Sequence, residues 1–167
     1  MPKLVKDGVI VEDTWTLLSK PEGDVANFAV PAGQVIVPLS VWLAQKSELK
    51  SRTDIGVWLD SDETADLLGE DAQSLPLVAV NFPTFMDGRA FSTARLLRER
   101  FGFTGELRAV GNFIRDQLCY LRRCGVNAFA FSNPEADLQA AFKSLDDFTE
   151  YYQASVDQPL PLFRRRA

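Results

Sequence analysis

The residues of this chain best placed to do chemistry are aspartates and arginines set beside turn-forming glycines. Asp87-Gly88-Arg89 follows the apolar run Leu77-Val-Ala-Val80 and opens a helical pattern that carries Ser92 and Arg95. Arg108-Ala-Val-Gly111-Asn112 is a second strand-to-helix junction, with Arg115 and Asp116 just beyond it. Arginine offers a planar fork matched to carboxylate, phosphate or sulfur oxyanions, and a glycine ahead of free helix N–H groups admits an anion. Asp87, Arg89, Ser92, Arg95, Arg108, Gly111, Asn112, Arg115 and Asp116 therefore form the candidate anion-binding set. Asp87 and Asn112 equally suit helix caps, and the glycines suit tight turns. If the two strands are neighbours, right-handed crossovers bring Arg89, Arg95, Arg108 and Arg115 to one sheet edge and one pocket.

Cys119 lies within a helical turn of Arg122 and Arg123, a setting that favours the thiolate if the group is exposed, which makes it the redox candidate. Cys124, before Gly125, suits helix-end packing. Five residues on one helix turn the two cysteines about 140° apart, so both are expected as thiols. The chain has no histidine. That removes the commonest general base, the Ser/His and Cys/His nucleophile pairs, and most zinc and haem ligation. Two cysteines do not supply a four-cysteine iron–sulfur cluster, and no dinucleotide or P-loop glycine pattern occurs. No metal site and no cofactor of the chain's own is expected.

The 167 residues, 46% apolar and 25% charged, fit one globular domain. The formal charge of −5 is unevenly spread: residues 1–80 hold 6 Lys/Arg against 13 Asp/Glu, and residues 81–167 hold 12 against 10. Between Phe85 and Gly125 lie eight arginines, four acids and no lysine. An acidic chain without an aromatic-plus-basic motif is not expected to bind nucleic acid. No apolar run approaches a bilayer span and no signal-peptide core follows Met1, so a cytoplasmic protein without membrane contact is expected.

The elements that must position these residues read as α/β. Asp7-Gly8 between β-branched runs signals an N-terminal hairpin, and residues 19–33 read as an acidic loop. The runs Val35-Ile-Val37, Ile55-Gly-Val-Trp-Leu59, Leu77-Val-Ala-Val80, Leu107-Arg-Ala-Val110 and Ala128-Phe-Ala-Phe131 alternate with helical patterns, as about five βα units do. Near-continuous apolarity suits a mainly parallel sheet covered on both faces. Ser40 is expected to cap residues 41–49, and Ser61 or Asp62 to cap residues 63–68. Ala90, Ala94, Leu97 and Phe101 form one apolar stripe; Ile114, Leu118 and Leu121 form another. A last helix places Leu138, Ala141, Leu145, Phe148 and Tyr152 at core-like spacing, and the tail Pro159-Leu-Pro-Leu-Phe-Arg-Arg-Arg166 is extended, either packed on the domain or free for a partner. Half-barrel-like (TIM-like) and open doubly wound sheets both fit; the first is preferred, within a single domain over residues 1–167.

Several stretches resemble a known bacterial family: Phe85-Met-Asp-Gly-Arg, Ser92-Thr-Ala-Arg-Leu-Leu-Arg, Gly105-Glu-Leu-Arg-Ala-Val-Gly, Arg115-Asp-Gln-Leu, Arg122-Arg-Cys-Gly and Pro159-Leu-Pro-Leu-Phe. Together they are similar to domain-of-unknown-function family 934, whose members look like accessory proteins of assimilatory sulfite reduction and are often labelled oxidoreductases. The family usually carries Asp where this chain has Asn112, which keeps a capping oxygen but removes an acid. The resemblance implies an accessory or adaptor role beside a sulfite reductase that brings its own sirohaem and iron–sulfur centre, and it implies no catalytic residues. The alternative is a small α/β enzyme that acts on an anionic metabolite, a sulfur oxyanion or a phosphate ester, with arginine clamps. Self-association into a homo-oligomer is compatible with either.

Overall fold

The structure is a computed structural model that describes residues 3–84, 86–113 and 117–131. The last helix and the tail expected from the sequence, together with Ile114, Arg115 and Asp116, lie outside the described residues. The chain opens with the expected hairpin, β1 (Lys3–Lys6) and β2 (Val9–Glu12). Its turn places Asp7 at φ 50° and Gly8 at φ 77°, the pair of positive values that a two-residue hairpin turn demands. There follow β3 (Thr16–Leu17), β4 (Val35–Pro38), α1 (Leu39–Leu49), β5 (Ile55–Leu59), α2 (Ala65–Leu68) with a 3-10 segment Gly69–Ser74, β6 (Leu77–Phe82), α3 (Arg89–Glu99), β7 (Glu106–Gly111), α4 (Leu118–Arg123) and β8 (Ala128–Phe129).

The strand order is β2-β1-β8-β7-β6-β5-β4-β3. From β3 to β8 every neighbour is parallel and in chain order, while β1 is antiparallel to both β8 and β2. A doubly wound sheet reverses its order at a switch point. This one does not, so the half-barrel alternative holds.

Connectivity forces the sheet to curl. Laid flat, eight strands would put β2 and β3 about 33 Å apart, at roughly 4.8 Å per spacing. Only Asp13, Thr14 and Trp15 separate them, a link that reaches about 14 Å at most. β2 also points the same way as β3, so residues 9–17 behave as one bent strand that pairs first with β1 and then with β4.

Alternate residues of each strand face opposite ways. The outer face buries Val35, Val37, Val57, Val80, Leu107 and Phe129 under helix residues that include Trp42, Leu68, Ala94, Leu97 and Leu121. The inner face gathers Ile36, Trp58, Leu77, Ala79 and Val110, with Trp15 and Ala130 packed on them. β7 also turns two charges inward. Arg108, 2% exposed, donates through Nε to Glu106 (2.8 Å) and through Nη1 to Asp13 (3.0 Å), and Lys6 pairs with Glu106 at 3.0 Å. A small cavity of about 90 Å³ adjoins this network, lined by Leu4, Thr14 and Trp15 among others.

Two local expectations are corrected. α1 starts at Leu39 with Pro38 in the cap position, so Ser40 lies inside its first turn. α2 starts at Ala65 after Thr64, and neither helix has a side-chain cap bond. The cause at α2 is a tight turn: Glu63 N–H donates to the Asp60 carbonyl, and Asp60 N–H to the Glu63 carboxylate. The α3 stripe buries Ala90, Ala94 and Leu97 as expected, with Phe101 beyond the helix end.

Removing one member of a buried charge set strands the others, at about 3–5 kcal/mol. Arg108→Ala is therefore expected to lower urea-unfolding stability by that order, whereas Arg95→Ala, in an exposed pair with Glu99, should change it by less than about 0.5 kcal/mol. Equal effects of the two changes would contradict this account of the interior.

Candidate functional site

Parallel strands of a barrel-like sheet point their carboxyl ends at one rim, where sites are usually built. Here β5 hands over to Asp60 and Ser61, and β6 carries Asn81 one residue before its end at Phe82. The Asp60 carboxylate accepts bonds from Ser61 N–H (2.8 Å), Asn81 Nδ2 (3.0 Å) and Lys20 Nζ (2.8 Å). Burial alone would raise its pKa, but these three donors together hold it below the ordinary value. Lys20 comes from the acidic loop and lies over the Trp58 ring, with Nζ 5.6 Å from the centroid. Trp58 fixes that approach by donating its indole N–H to the Leu18 carbonyl at 2.8 Å.

Next along the rim, Asp87 accepts the Arg89 N–H (3.2 Å), Nε (3.0 Å) and Nη2 (2.7 Å). The hydrogen bond from the guanidinium, foremost, holds the Asp87 carboxyl far below the usual range, and Asp87 raises Arg89 in return. Arg89 Nη2 also donates to Ser61 Oγ at 3.0 Å, which links the two junctions. Between them opens a groove of about 290 Å³ whose lining includes Ser61, Asp62, Glu63, Arg89, Ser92 and Leu96.

Gly111 and Asn112 sit at the neighbouring junction, where their described groups are committed to β6. Gly111 has φ +94°, and a Cβ there would collide with the Phe82 carbonyl and the Asn81 side chain. The Asn112 N–H, which would have faced an anion, donates to the Phe82 carbonyl at 2.7 Å, and Nδ2 donates to Pro83 O at 2.9 Å. This junction ties β6 to β7.

The expected convergence of guanidinium groups does not occur among the described residues. Arg89 is at the groove, Arg95 pairs with Glu99 a turn further along α3, and Arg108 is inside the curled sheet. Parallel neighbours do bring the junctions together, but Arg108 alternates to the inner face below the rim. Ser92 lines the groove with Arg89; Arg115 and Asp116 lie outside the described residues. The redox candidate Cys119 is buried, as is Cys124, so neither sulfur is presented for exchange.

The rim is also negative. Lys20 and Arg89 stand among Asp60, Asp62, Glu63 and Asp87. Both cations have raised pKa values, through hydrogen bonds to Asp60 and Asp87 respectively, with Asp62 adding to each. Such a field favours a cation over an anion.

Sequence reasoning missed Lys20, Asp60, Ser61 and Asn81. Polar residues at the ends of apolar runs were the available signal for the last three. It also missed Arg98, whose Nε donates to Gly125 O and whose Nη1 donates to Phe103 O and Gly105 O, each at 2.9 Å. A Cβ on Gly125, at φ +101°, would collide with the Arg98 stem.

The model for the bacterial protein family of unknown function DUF934 matches residues 56–163, more than half of the chain. The chain belongs to this family. No curated protein and no solved structure matches it. In this DUF934 chain the matched region contains the Arg98–Gly105–Gly125 clamp, the Gly111 junction and Arg108, all of which hold the fold. Among the described residues no three His, Cys, Asp or Glu groups are arranged to hold a metal, and no helix is long and apolar enough to cross a membrane.

Two outcomes are expected. A carboxylate with a depressed folded pKa stabilises above its unfolded pKa, and the contribution is lost as pH falls through the folded one; Lys20, raised from 10.5, keeps its share until pH climbs past that value. Asp60→Asn should therefore lower the melting temperature at pH 7, with the two proteins converging as pH drops well below 4; a pH-independent gap would refute the pairing. Cys119 should react slowly with an alkylating reagent in the native protein and rapidly in denaturant, and prompt native labelling would restore the redox role.

Proposed function

We propose that this protein is an accessory or adaptor protein of assimilatory sulfite reduction, acting in the cytoplasm by contact with the reductase and without turnover of its own. The chain belongs to a family of unknown function, and the association with this pathway rests on what the resemblance of its sequence stretches implies. The non-catalytic half of the proposal is carried by one observation: Arg89, Arg95, Arg98 and Arg108 are all engaged by carboxylates or carbonyls of the same chain. At the buried Arg108 and the part-buried Arg98 an oxyanion would have to displace those bonds, and at the exposed Arg89 and Arg95 it would have to share the guanidinium with Asp87 and Glu99. The absence of histidine from the sequence points the same way for general acid–base work.

Deleting the gene is expected to impair growth on sulfite as sulfur source or to lower reductase activity in extracts, and adding back the purified protein should restore it. The protein should also co-purify with the reductase from its own cells. Normal sulfite reduction and normal reductase assembly in the deletion strain would end this proposal.

A further inference from the structure

We propose that the groove between the Ser61–Ala65 turn and α3 is a docking surface for a cationic protein segment in which an aliphatic side chain is flanked by arginine or lysine. The inference rests on the accessory role proposed above and identifies the face that would carry it. Leu96 lines the groove and is 37% exposed, and Leu67, on α2 packed beside α3, is 50% exposed. Ala65 and Thr93 form its buried base. At about 290 Å³ the groove is at the bottom of the roughly 300–1,000 Å³ range of sites that enclose small molecules. It is not enclosed: Asp62, Thr64, Arg89 and Ser92 along it are all exposed. An anchor side chain presented by a larger partner fits this shape better than a metabolite that must be surrounded.

Charge selects the partner. Asp62 and Glu63 stand on the lip, and Arg89, the cation in the lining, is already held by Asp87 and Ser61. Residues 1–80, which supply the lip and α2, carry 13 acids against 6 Lys/Arg. Complementary charge at the edge of a contact raises the association rate and disfavours acidic competitors, while the apolar centre supplies affinity.

The test uses the full-length protein and three variants: Leu96→Glu and Asp62→Lys in the groove, and Leu43→Glu on α1 as a control at another exposed leucine. Circular dichroism melts first establish that each folds. Binding is measured to purified sulfite reductase and, separately, to a short labelled peptide with leucines between arginines and to its leucine-to-serine counterpart. Both groove changes should weaken binding at least about tenfold, equivalent to ~1.4 kcal/mol; Leu43→Glu should not, and added salt should weaken the wild-type complex. Undiminished reductase binding by the groove variants overturns the docking site while leaving the accessory role intact. If wild-type protein does not bind the reductase, the accessory role falls and the peptide decides: equal binding by wild-type and groove variants removes the site, selective loss retains it. Self-association in sedimentation that the groove changes abolish would assign the groove to a second copy and overturn the partner segment.

Discussion

Residues 13–15 impose the constraint on which the rest of the structure depends. They join the two edges of an eight-stranded sheet, so the sheet must bend until those edges meet. Asp13, within this link, is also the acid that reaches Arg108 on β7. Taking a guanidinium out of water costs several kcal/mol unless its donors are answered. Glu106 comes from the same strand, but Asp13 arrives only if the link has crossed to the inner face. Curl and ion pairing thus require each other. The pair also fixes register, since a one-residue slip of β7 would carry Arg108 to the apolar side beneath the helices.

The same bend determines the character of the rim. Bringing the carboxyl ends of β5, β6 and β7 together packs Asp60, Asn81 and Gly111 so closely that each becomes a constraint on the next. Asn81 donates to Asp60 and lies against Gly111, which no larger residue could replace. Lys20 and Arg89 then offset part, but not all, of the acid that the turns supply. Among the described donors of this rim, Lys20 and Asn81 serve Asp60, and Arg89 serves Asp87 and Ser61.

The elements governed by local pattern were legible in the sequence: the Asp7-Gly8 hairpin, the five apolar runs that became β4 to β8, and the α3 stripe. What escaped depends on partners far along the chain. Asp60 and Lys20 are 40 residues apart, and Arg108 and Asp13 are 95 apart. β3 has two residues and no pattern of its own; it exists because the link must meet β4. The helix starts went astray for a nearer reason. Glu63 uses its carboxylate to hold the Asp60 N–H in a turn, which postpones α2 past the caps that composition suggested.

The density of arginine in the family-like stretches is therefore better explained by architecture than by ligand recognition. Arg98 spans three carbonyls from two connections, α3–β7 and α4–β8, and covers the Phe103 ring, with its carbon centre 5.2 Å from the ring centroid. A lysine ammonium, a compact charge without a planar fork, would not reproduce that span. Arg108 likewise needs two directions at once, toward Glu106 and toward Asp13. Once Arg98 and Arg108 are assigned to the fold, the groups that the matched region leaves facing solvent near the rim include Leu67, Leu96 and Asp62, with Arg89 held by Asp87 and Ser61 beside them. Apolar side chains exposed beside unbalanced charge suit contact with a partner, and this pairing is the basis of the docking surface proposed above.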